Sequence, residues 1–115
     1  MNKLEEITQE IVAFRDARDW KQFHNPKDCA ISLSLEAAEV LEHFQWKSPE
    51  DTAKHILTHK EDIADELADV LYWVLLMSHD LNIDIAAASE KKLEKSGLKY
   101  PIEKAKGVYT KYTEL

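Results

Sequence analysis

Leu35-Glu36-Ala37-Ala38-Glu39 lies in the middle of the most apolar helical pattern of the chain. Projected at about 100° per residue, the segment over 29–45 is apolar nearly all round, except for one polar strip roughly 60° wide. That strip contains Ser32, Glu36, Glu39 and His43. Carboxylates are rarely buried without a partner, so two of them one turn apart on a core helix indicate a bound cation.

The composition is that of a single all-α domain. Of the 115 residues, 44% are hydrophobic, which is enough for one core, while two glycines and three prolines are too few for a turn-rich β fold. We therefore predict one domain over residues 1–115, with an irregular tail over 98–115. The formal charge of −7 argues against a nucleic-acid polymer as partner, because that binding depends on Lys and Arg neutralising phosphates. A small anionic substrate remains compatible with this charge if metal ions bridge it to the acids.

Several features predict a cytoplasmic protein with no membrane contact. Cys29 is the only cysteine, so no disulfide can form within the chain and a reducing compartment is expected. The N-terminal residues 1–6 lack the apolar core of a signal peptide. The longest unbroken apolar run, over 70–77, is far too short to span a bilayer.

Helical periodicity and end signals predict the order of the helices. The first expected helix runs over 3–18, and the second runs from a cap at Asn25 or Asp28 to about Gln45. A short third helix starts from a Ser48 cap with Pro49 in its first turn. The fourth runs over 60–81, and the last runs from Asn82 or Asp84 to an end at Gly97. Whether the third helix breaks near His59 or continues into the fourth is left open by the pattern. Between the first two helices, Trp20, Phe23 and His24 form an aromatic connection that either closes the end of the bundle or binds a ligand.

A second polar strip lies on the fourth predicted helix and contains Asp62, Glu66, Asp69 and Trp73. Glu66 and Asp69 are one turn apart where the helix becomes apolar, as Glu36 and Glu39 are on the second helix. Two such pairs on neighbouring helices would place four carboxylates around a small volume. Ligand sets made only of oxygen favour Mg²⁺ or Mn²⁺, and this arrangement suits phosphoryl chemistry.

Two other interpretations compete with this one. In the first, the acidic strips are solvated and the chain is a non-catalytic helical oligomer or protein-interaction module. In the second, the bundle holds a carboxylate-bridged di-iron centre, which requires a Glu-x-x-His pair on each of two helices. No histidine of this chain has an acid three residues before it, so the di-iron motif is absent.

The chain resembles the MazG-like all-α nucleoside triphosphate pyrophosphohydrolases, most closely their dCTP pyrophosphatase branch. The family's metal motif, Glu-x-x-Glu followed by Glu-x-x-Asp, is matched by Glu36-Ala37-Ala38-Glu39 and Glu66-Leu67-Ala68-Asp69. The branch is also similar over residues 15–24, 44–46, 69–71, 100–101 and 111–115. These separate matches occur in the right order over nearly the whole chain.

The resemblance implies a four-helix-bundle-like core that hydrolyses a nucleoside triphosphate to the monophosphate and pyrophosphate. It implies that Glu36, Glu39, Glu66 and Asp69 bind Mg²⁺ and carry catalysis, with dCTP or a modified dCTP as substrate. Members of the family are dimers or tetramers whose sites are completed by a neighbouring subunit. The nearly all-round apolar second helix independently suits a homo-oligomer, because one small bundle can hardly cover every face of it.

The resemblance also implies which residues bind the nucleotide. The base would lie against Trp20, His24, Trp46 and Trp73, which makes the aromatic connection a binding surface, and Lys92 and Lys99 would contact phosphate. One position departs from the family, because Ser96 stands where an Asn is usual. A hydroxyl is shorter than an amide and has one donor where the amide has two.

Overall fold

The computed structural model describes residues 1–115 and contains six α-helices and no strand, which confirms the all-α prediction. The helices are α1 (Lys3–Ala17), α2 (Pro26–Glu42), α3 (Pro49–Thr58), α4 (Lys60–Asp80), α5 (Ile85–Lys99) and α6 (Ile102–Ala105). Short 3-10 turns lie at Lys21–Phe23 and Tyr112–Glu114. The chain divides into two compact units, Met1–Asn82 and Ile83–Leu115. No helix is both long enough and apolar enough to cross a membrane.

Short polar side chains cap the first three helices of the first unit, whereas α4 has no side-chain cap. Asn2 caps α1 in a capping box with Glu5, whose backbone N–H donates to the Asn2 side chain at 2.8 Å. Asn25 accepts from the backbone N–H of Asp28 at 2.9 Å, so Asn25 is the cap of α2 and Pro26 is its first residue. The predicted start of α3 at Ser48-Pro49 is also confirmed, with the Asp51 N–H donating to the Ser48 hydroxyl at 3.1 Å.

Helix α4 is the central element of the first unit. Helix α2 packs along α4 most extensively, while α1 and α3 each contact α4 less extensively. The most deeply buried apolar side chains are Cys29 on α2 and the pair Leu75 and Leu76 on α4. This pairing of α2 with α4 sets the acid-bearing helices side by side.

A buried ion pair joins α1 to the end of α4. Arg15 is 0% exposed, and its Nη1 donates to Asp80 Oδ2 at 2.7 Å. The Arg15 guanidinium holds the pKa of Asp80 below its ordinary value, although partial burial opposes that shift. Because a buried charge is costly without its partner, this pair fixes where α1 meets α4.

Two helix boundaries in the first unit were open or inaccurate in the sequence-based prediction. Helices α3 and α4 are separate, because His59 leaves helical geometry at φ −124° and ψ 25° and flanks both. Helix α2 ends at Glu42, three residues before the predicted end at Gln45. The turn that follows places Trp46 in left-handed geometry at φ 68°, so its side chain does not continue the polar strip of α2.

In the second unit, Asp84 caps α5, as one of the two predicted caps. The predicted end of α5 at Gly97 is wrong. The helix continues to Lys99, because Gly97 adopts ordinary helical geometry and Pro101 disfavours helix at Tyr100. The segment over 98–115 contains the end of α5, the four-residue α6 and a 3-10 turn, so part of the predicted irregular tail is helical.

Candidate functional site

Four carboxylates converge where α2 packs along α4. Glu36 and Glu39 lie one turn apart on α2, and Glu66 and Asp69 lie one turn apart on α4. One carboxylate oxygen from each residue can be chosen so that all four lie within 4.8 Å of one another. Glu36 and Glu66 are half-buried, whereas Glu39 and Asp69 are more exposed. The two predicted pairs therefore form one cluster, which is open to solvent on one side.

The electrostatics of this acidic cluster show that its negative charge is not balanced by the protein. The pKa of Glu66 is raised to about 7, most strongly by a hydrogen bond with Glu39 and less strongly by burial and by the charges of the neighbouring acids. The pKa of Glu36 is also raised, most strongly by burial and less strongly by a hydrogen bond with Glu39 and by the charges of Glu39 and Asp69. The Oε2 atoms of Glu36 and Glu66 are buried and have no hydrogen-bond partner. A cation among the four carboxylates would satisfy these atoms and offset the repulsion.

The donor set is suited to a hard divalent ion. All four candidate ligands are carboxylates, and no histidine or cysteine belongs to the cluster. Oxygen-only sets favour Mg²⁺, Mn²⁺ or Ca²⁺ over ions that prefer nitrogen or sulfur. The residues present therefore fit the Mg²⁺ or Mn²⁺ expected from the sequence.

An aromatic cavity of about 500 Å³ adjoins the acidic cluster. Its walls are mainly aromatic and aliphatic side chains from α1, α4 and the turn after α1: Glu10, Ile11, Phe14, Trp20, Asp69, Tyr72 and Trp73. Asp69 belongs both to these walls and to the acidic cluster. A ligand in this cavity would consequently lie next to an ion held by the carboxylates.

The aromatic rings of this cavity pack edge to face. The ring centroids of Phe14 and Trp20 are 5.8 Å apart, those of Phe14 and Tyr72 are 6.4 Å apart, and those of Tyr72 and Trp73 are 5.1 Å apart. On another side of Phe14, the guanidinium of Arg18 lies 3.7 Å from the ring centroid. These contacts hold the rings in fixed orientations around a space of the right size for a flat ring system.

The other predicted base contacts, His24 and Trp46, do not line this cavity. His24 packs edge-on against Trp73 at 5.3 Å, yet its ring lines a second cavity of about 350 Å³ that also includes Cys29 and Asp80. Burial lowers the pKa of His24, and the positive charge of Arg15 lowers it further. Trp46 is 93% exposed. Within one chain, Trp20 and Trp73 therefore line the aromatic cavity, His24 contacts Trp73 without lining the cavity, and Trp46 does not line it.

The predicted phosphate contacts, Lys92 and Lys99, both lie on α5 in the second unit. Both side chains are exposed, and Lys99 Nζ lies 4.6 Å from the ring centroid of Tyr112. Ser96, the departure from the family pattern, is half-buried on the same helix. Their role in binding phosphate stays a prediction.

Four cavity residues were not among the predicted site residues: Glu10, Ile11, Phe14 and Tyr72. The sequence carries a signal for three of them. Ile11 and Phe14 belong to the apolar face of α1, and Tyr72 precedes Trp73 in the apolar run of α4. Helical periodicity predicts that such side chains face the core, but only the packing of α1 on α4 shows that they surround a cavity.

Comparisons with known proteins show what the chain is similar to. A model of the MazG-like family matches residues 31–115. The dCTP pyrophosphatase 1 of Rattus norvegicus is 33% identical over 114 residues, which are 97% of this chain and 67% of that protein. The human dCTP pyrophosphatase 1 is 32% identical over 114 residues, which are again 97% of this chain and 67% of that protein. The crystal structure of a pyrophosphatase from Archaeoglobus fulgidus superposes with a TM-score of 0.82 at 36% identity, over 88% of this chain and 94% of that one.

Proposed function

The chain belongs to the MazG-like family and is a nucleoside triphosphate pyrophosphohydrolase, and we propose that it converts dCTP or a modified dCTP to the monophosphate and pyrophosphate with Mg²⁺. Membership of an enzyme family sets aside the alternative of a non-catalytic interaction module. The observation that carries the proposal is the position of Asp69, which lines the aromatic cavity and belongs to the acidic cluster. A nucleotide has the same two parts, a flat base and a charged phosphate chain, joined over a short distance.

We propose that Glu36, Glu39, Glu66 and Asp69 hold Mg²⁺ and carry catalysis. The unsatisfied buried oxygens of Glu36 and Glu66 and the mutual repulsion of the acids support this role. When bound, Mg²⁺ supplies charge neutralisation for the phosphates and a lower pKa for water. One of the α2 carboxylates, Glu36 or Glu39, orients the attacking water and accepts its proton. The water oxygen bonds to phosphorus, the bond between the α- and β-phosphates breaks, and pyrophosphate leaves.

The base is proposed to bind in the aromatic cavity, with Trp20 and Trp73 among its walls. The choice of dCTP comes from the relatives named dCTP pyrophosphatase 1, which resemble this chain over 97% of its length. Stacking on aromatic rings accepts any base, because every base has a π-face. Selection for cytosine must therefore come from polar groups around the rings.

A homo-oligomer, dimer or tetramer, is proposed from the apolar surface of the first unit. Leu35 and Leu41 on α2 are 62% and 70% exposed, and Trp46 is 93% exposed. Exposed apolar side chains this large on one helix and its following turn are typical of surfaces covered by a second copy. In such an assembly Trp46 either reaches the base or packs against the other subunit. Lys92 and Lys99 are proposed to contact phosphate.

The experiment that tests the function is a pyrophosphate-release assay over a panel of natural and modified nucleoside triphosphates with Mg²⁺. We expect dCTP or a modified dCTP to give the highest kcat/KM, with monophosphate and pyrophosphate as products. Release of inorganic phosphate instead of pyrophosphate would contradict the proposed bond cleavage. A higher kcat/KM for another base would contradict the cytosine preference but leave the reaction in place.

Two variants separate the site from the rest of the protein. Glu39→Gln should abolish turnover of every triphosphate while the circular dichroism spectrum is unchanged. Glu42→Gln, an exposed acid on the same helix outside the cluster, should retain turnover. Full activity in Glu39→Gln would show that the acidic cluster does not carry catalysis.

A further inference from the structure

Glu10 on α1 is one of the two carboxylates on the walls of the aromatic cavity. The other is Asp69 on α4, which also belongs to the acidic cluster. The remaining wall residues are aliphatic or aromatic, and none of them is a lysine, an arginine or a histidine. The proposed hydrolysis assigns Asp69 to the metal ion but does not use Glu10.

The Glu10 side chain has no partner within the chain. The ion pairs of α1 involve Lys3 and Arg15, and neither of these reaches Glu10. The side-chain hydrogen bonds of α1 are also made by other residues. Because Glu10 is exposed and lies outside the acidic cluster, its carboxylate oxygens are free to accept hydrogen bonds from a ligand in the cavity.

Helical geometry places Glu10 next to the rings that would hold a base. Glu10 and Phe14 are four residues apart on α1, so they lie on the same face of the helix, about 6 Å apart along its axis. The Phe14 ring packs edge to face against the rings of Trp20 and Tyr72. A base stacked among these rings can therefore reach the Glu10 carboxylate with its edge.

The polar edges of the pyrimidine bases differ at the 4-position. Cytosine has a 4-amino group, which donates hydrogen bonds, whereas thymine and uracil have a 4-carbonyl oxygen, which accepts them. An ionised carboxylate can only accept, so it binds the amino group and repels the carbonyl oxygen. The 4-position also lies across the ring from the bond to the sugar. A residue that contacts it is therefore separate from the carboxylates that hold the ion beside the phosphates.

We propose that Glu10 selects the base by accepting a hydrogen bond from the 4-amino group of a cytosine ring in the aromatic cavity. This inference rests on the proposed function and names the residue that sets its preference among pyrimidines. The aromatic walls stack on any base and so provide affinity without selection. Glu10 adds a preference for 4-amino pyrimidines over 4-oxo pyrimidines.

The test compares kcat/KM for two pairs of triphosphates in the parent and in Glu10→Gln. The pairs are dCTP with dUTP and 5-methyl-dCTP with dTTP, and within each pair the bases differ only at the 4-position and in the proton on N3. We expect the parent to favour the 4-amino member of both pairs. Glu10→Gln should reduce both preferences about tenfold, as expected for loss of a hydrogen bond to a charged group. The glutamine amide can also donate to a 4-carbonyl oxygen, so turnover of dUTP should rise.

Two further variants test the reason for the change. Glu6→Gln removes the same charge from α1 outside the cavity and should leave both preferences unchanged. Glu10→Ala removes the polar group altogether and should lose the preference without gaining turnover of dUTP. In both Glu10 variants the loss for dCTP should appear as a higher KM at constant kcat, because the contact with the base is the same before and during the reaction.

The outcomes separate this inference from the proposed function. Turnover of dCTP with unchanged preferences in Glu10→Gln, or a parent that favours the 4-oxo nucleotides, would overturn the role of Glu10 alone. A parent that hydrolyses none of the four triphosphates would refute the proposed function as well. Glu10→Gln should also bind Mg²⁺ as the parent does. Weaker Mg²⁺ binding with an equal loss of kcat for all four nucleotides would place Glu10 at the ion and contradict base selection.

Discussion

Lowering the pH should weaken Mg²⁺ binding to the acidic cluster, because the ion must compete with one bound proton. The Glu66 carboxyl, hydrogen-bonded to Glu39 and repelled by Asp69 and Glu36, has a pKa of about 7 without metal. Below that pH an ion must displace the proton that the Glu39–Glu66 pair holds. The apparent dissociation constant should therefore rise about tenfold for each pH unit below about 7 and level off above it.

Isothermal titration of the metal-free protein with MgCl₂ between about pH 5.5 and about pH 8.5 measures this constant. Repeating the titration in two buffers with different ionisation enthalpies counts the protons released, and we expect about one per ion below pH 7. Asp65→Asn, an exposed acid on α4 outside the cluster, should behave as the parent. Glu66→Gln should bind Mg²⁺ weakly and release no proton.

The raised pKa of Glu66 also determines whether the stability of the metal-free protein rises or falls with pH. Glu66 has a folded-state pKa of about 7 against an ordinary value of 4.5, so the folded state keeps a proton that the unfolded state loses in this interval. The contribution of the Glu66 carboxyl to the free energy of unfolding should be fully present below about pH 4.5 and should fall as the pH rises through about 7. Mg²⁺ should restore the stability lost at higher pH. A Mg²⁺ affinity independent of pH across this window, or the same pH dependence in Glu66→Gln, would refute the reasoning.

Three further outcomes are expected. Asp69→Asn should lower kcat for pyrophosphate release by about 100-fold or more, since even residues that only support metal ligands cost about 10- to 100-fold. Trp46→Ala should raise KM for the preferred nucleotide roughly tenfold at constant kcat, as loss of a stacked ring predicts, whereas a change of oligomeric state without a change in KM would assign Trp46 to subunit packing. Arg15→Met should lower the free energy of unfolding in urea by about 3 to 5 kcal/mol because it leaves Asp80 unpaired, and adding Asp80→Leu should recover part of that loss.

Features determined by local chemistry could be predicted from the sequence. Asn25 and Ser48 cap their helices because a short polar side chain can accept from a backbone N–H three residues on, which requires no tertiary contact. The alignment of Glu36 with Glu39, and of Glu66 with Asp69, follows from helical period alone. That these pairs meet depends on the packing of α2 along α4, which the broad apolar faces of both helices favour.

Features determined by tertiary packing could not be predicted. The expected stop at Gly97 used the preference of glycine for helix ends, but α5 continues for two more residues because nothing there requires positive φ. The walls contributed by Phe14 and Tyr72 depend on how α1 crosses α4. The direction of Trp46 depends on a turn whose left-handed backbone is not specified by any glycine or asparagine at that position.

The place of Asp69 in both the aromatic cavity and the acidic cluster makes two binding events thermodynamically linked. A nucleotide whose base occupies the cavity changes the surroundings of one of the four carboxylates, and an ion among the carboxylates changes one wall of the cavity. If the base raises the affinity for the ion by some factor, the ion must raise the affinity for the nucleotide by the same factor. Discrimination between two nucleotides in binding should therefore be greater at saturating Mg²⁺ than without Mg²⁺, since only the well-fitting base then gains the full linkage factor.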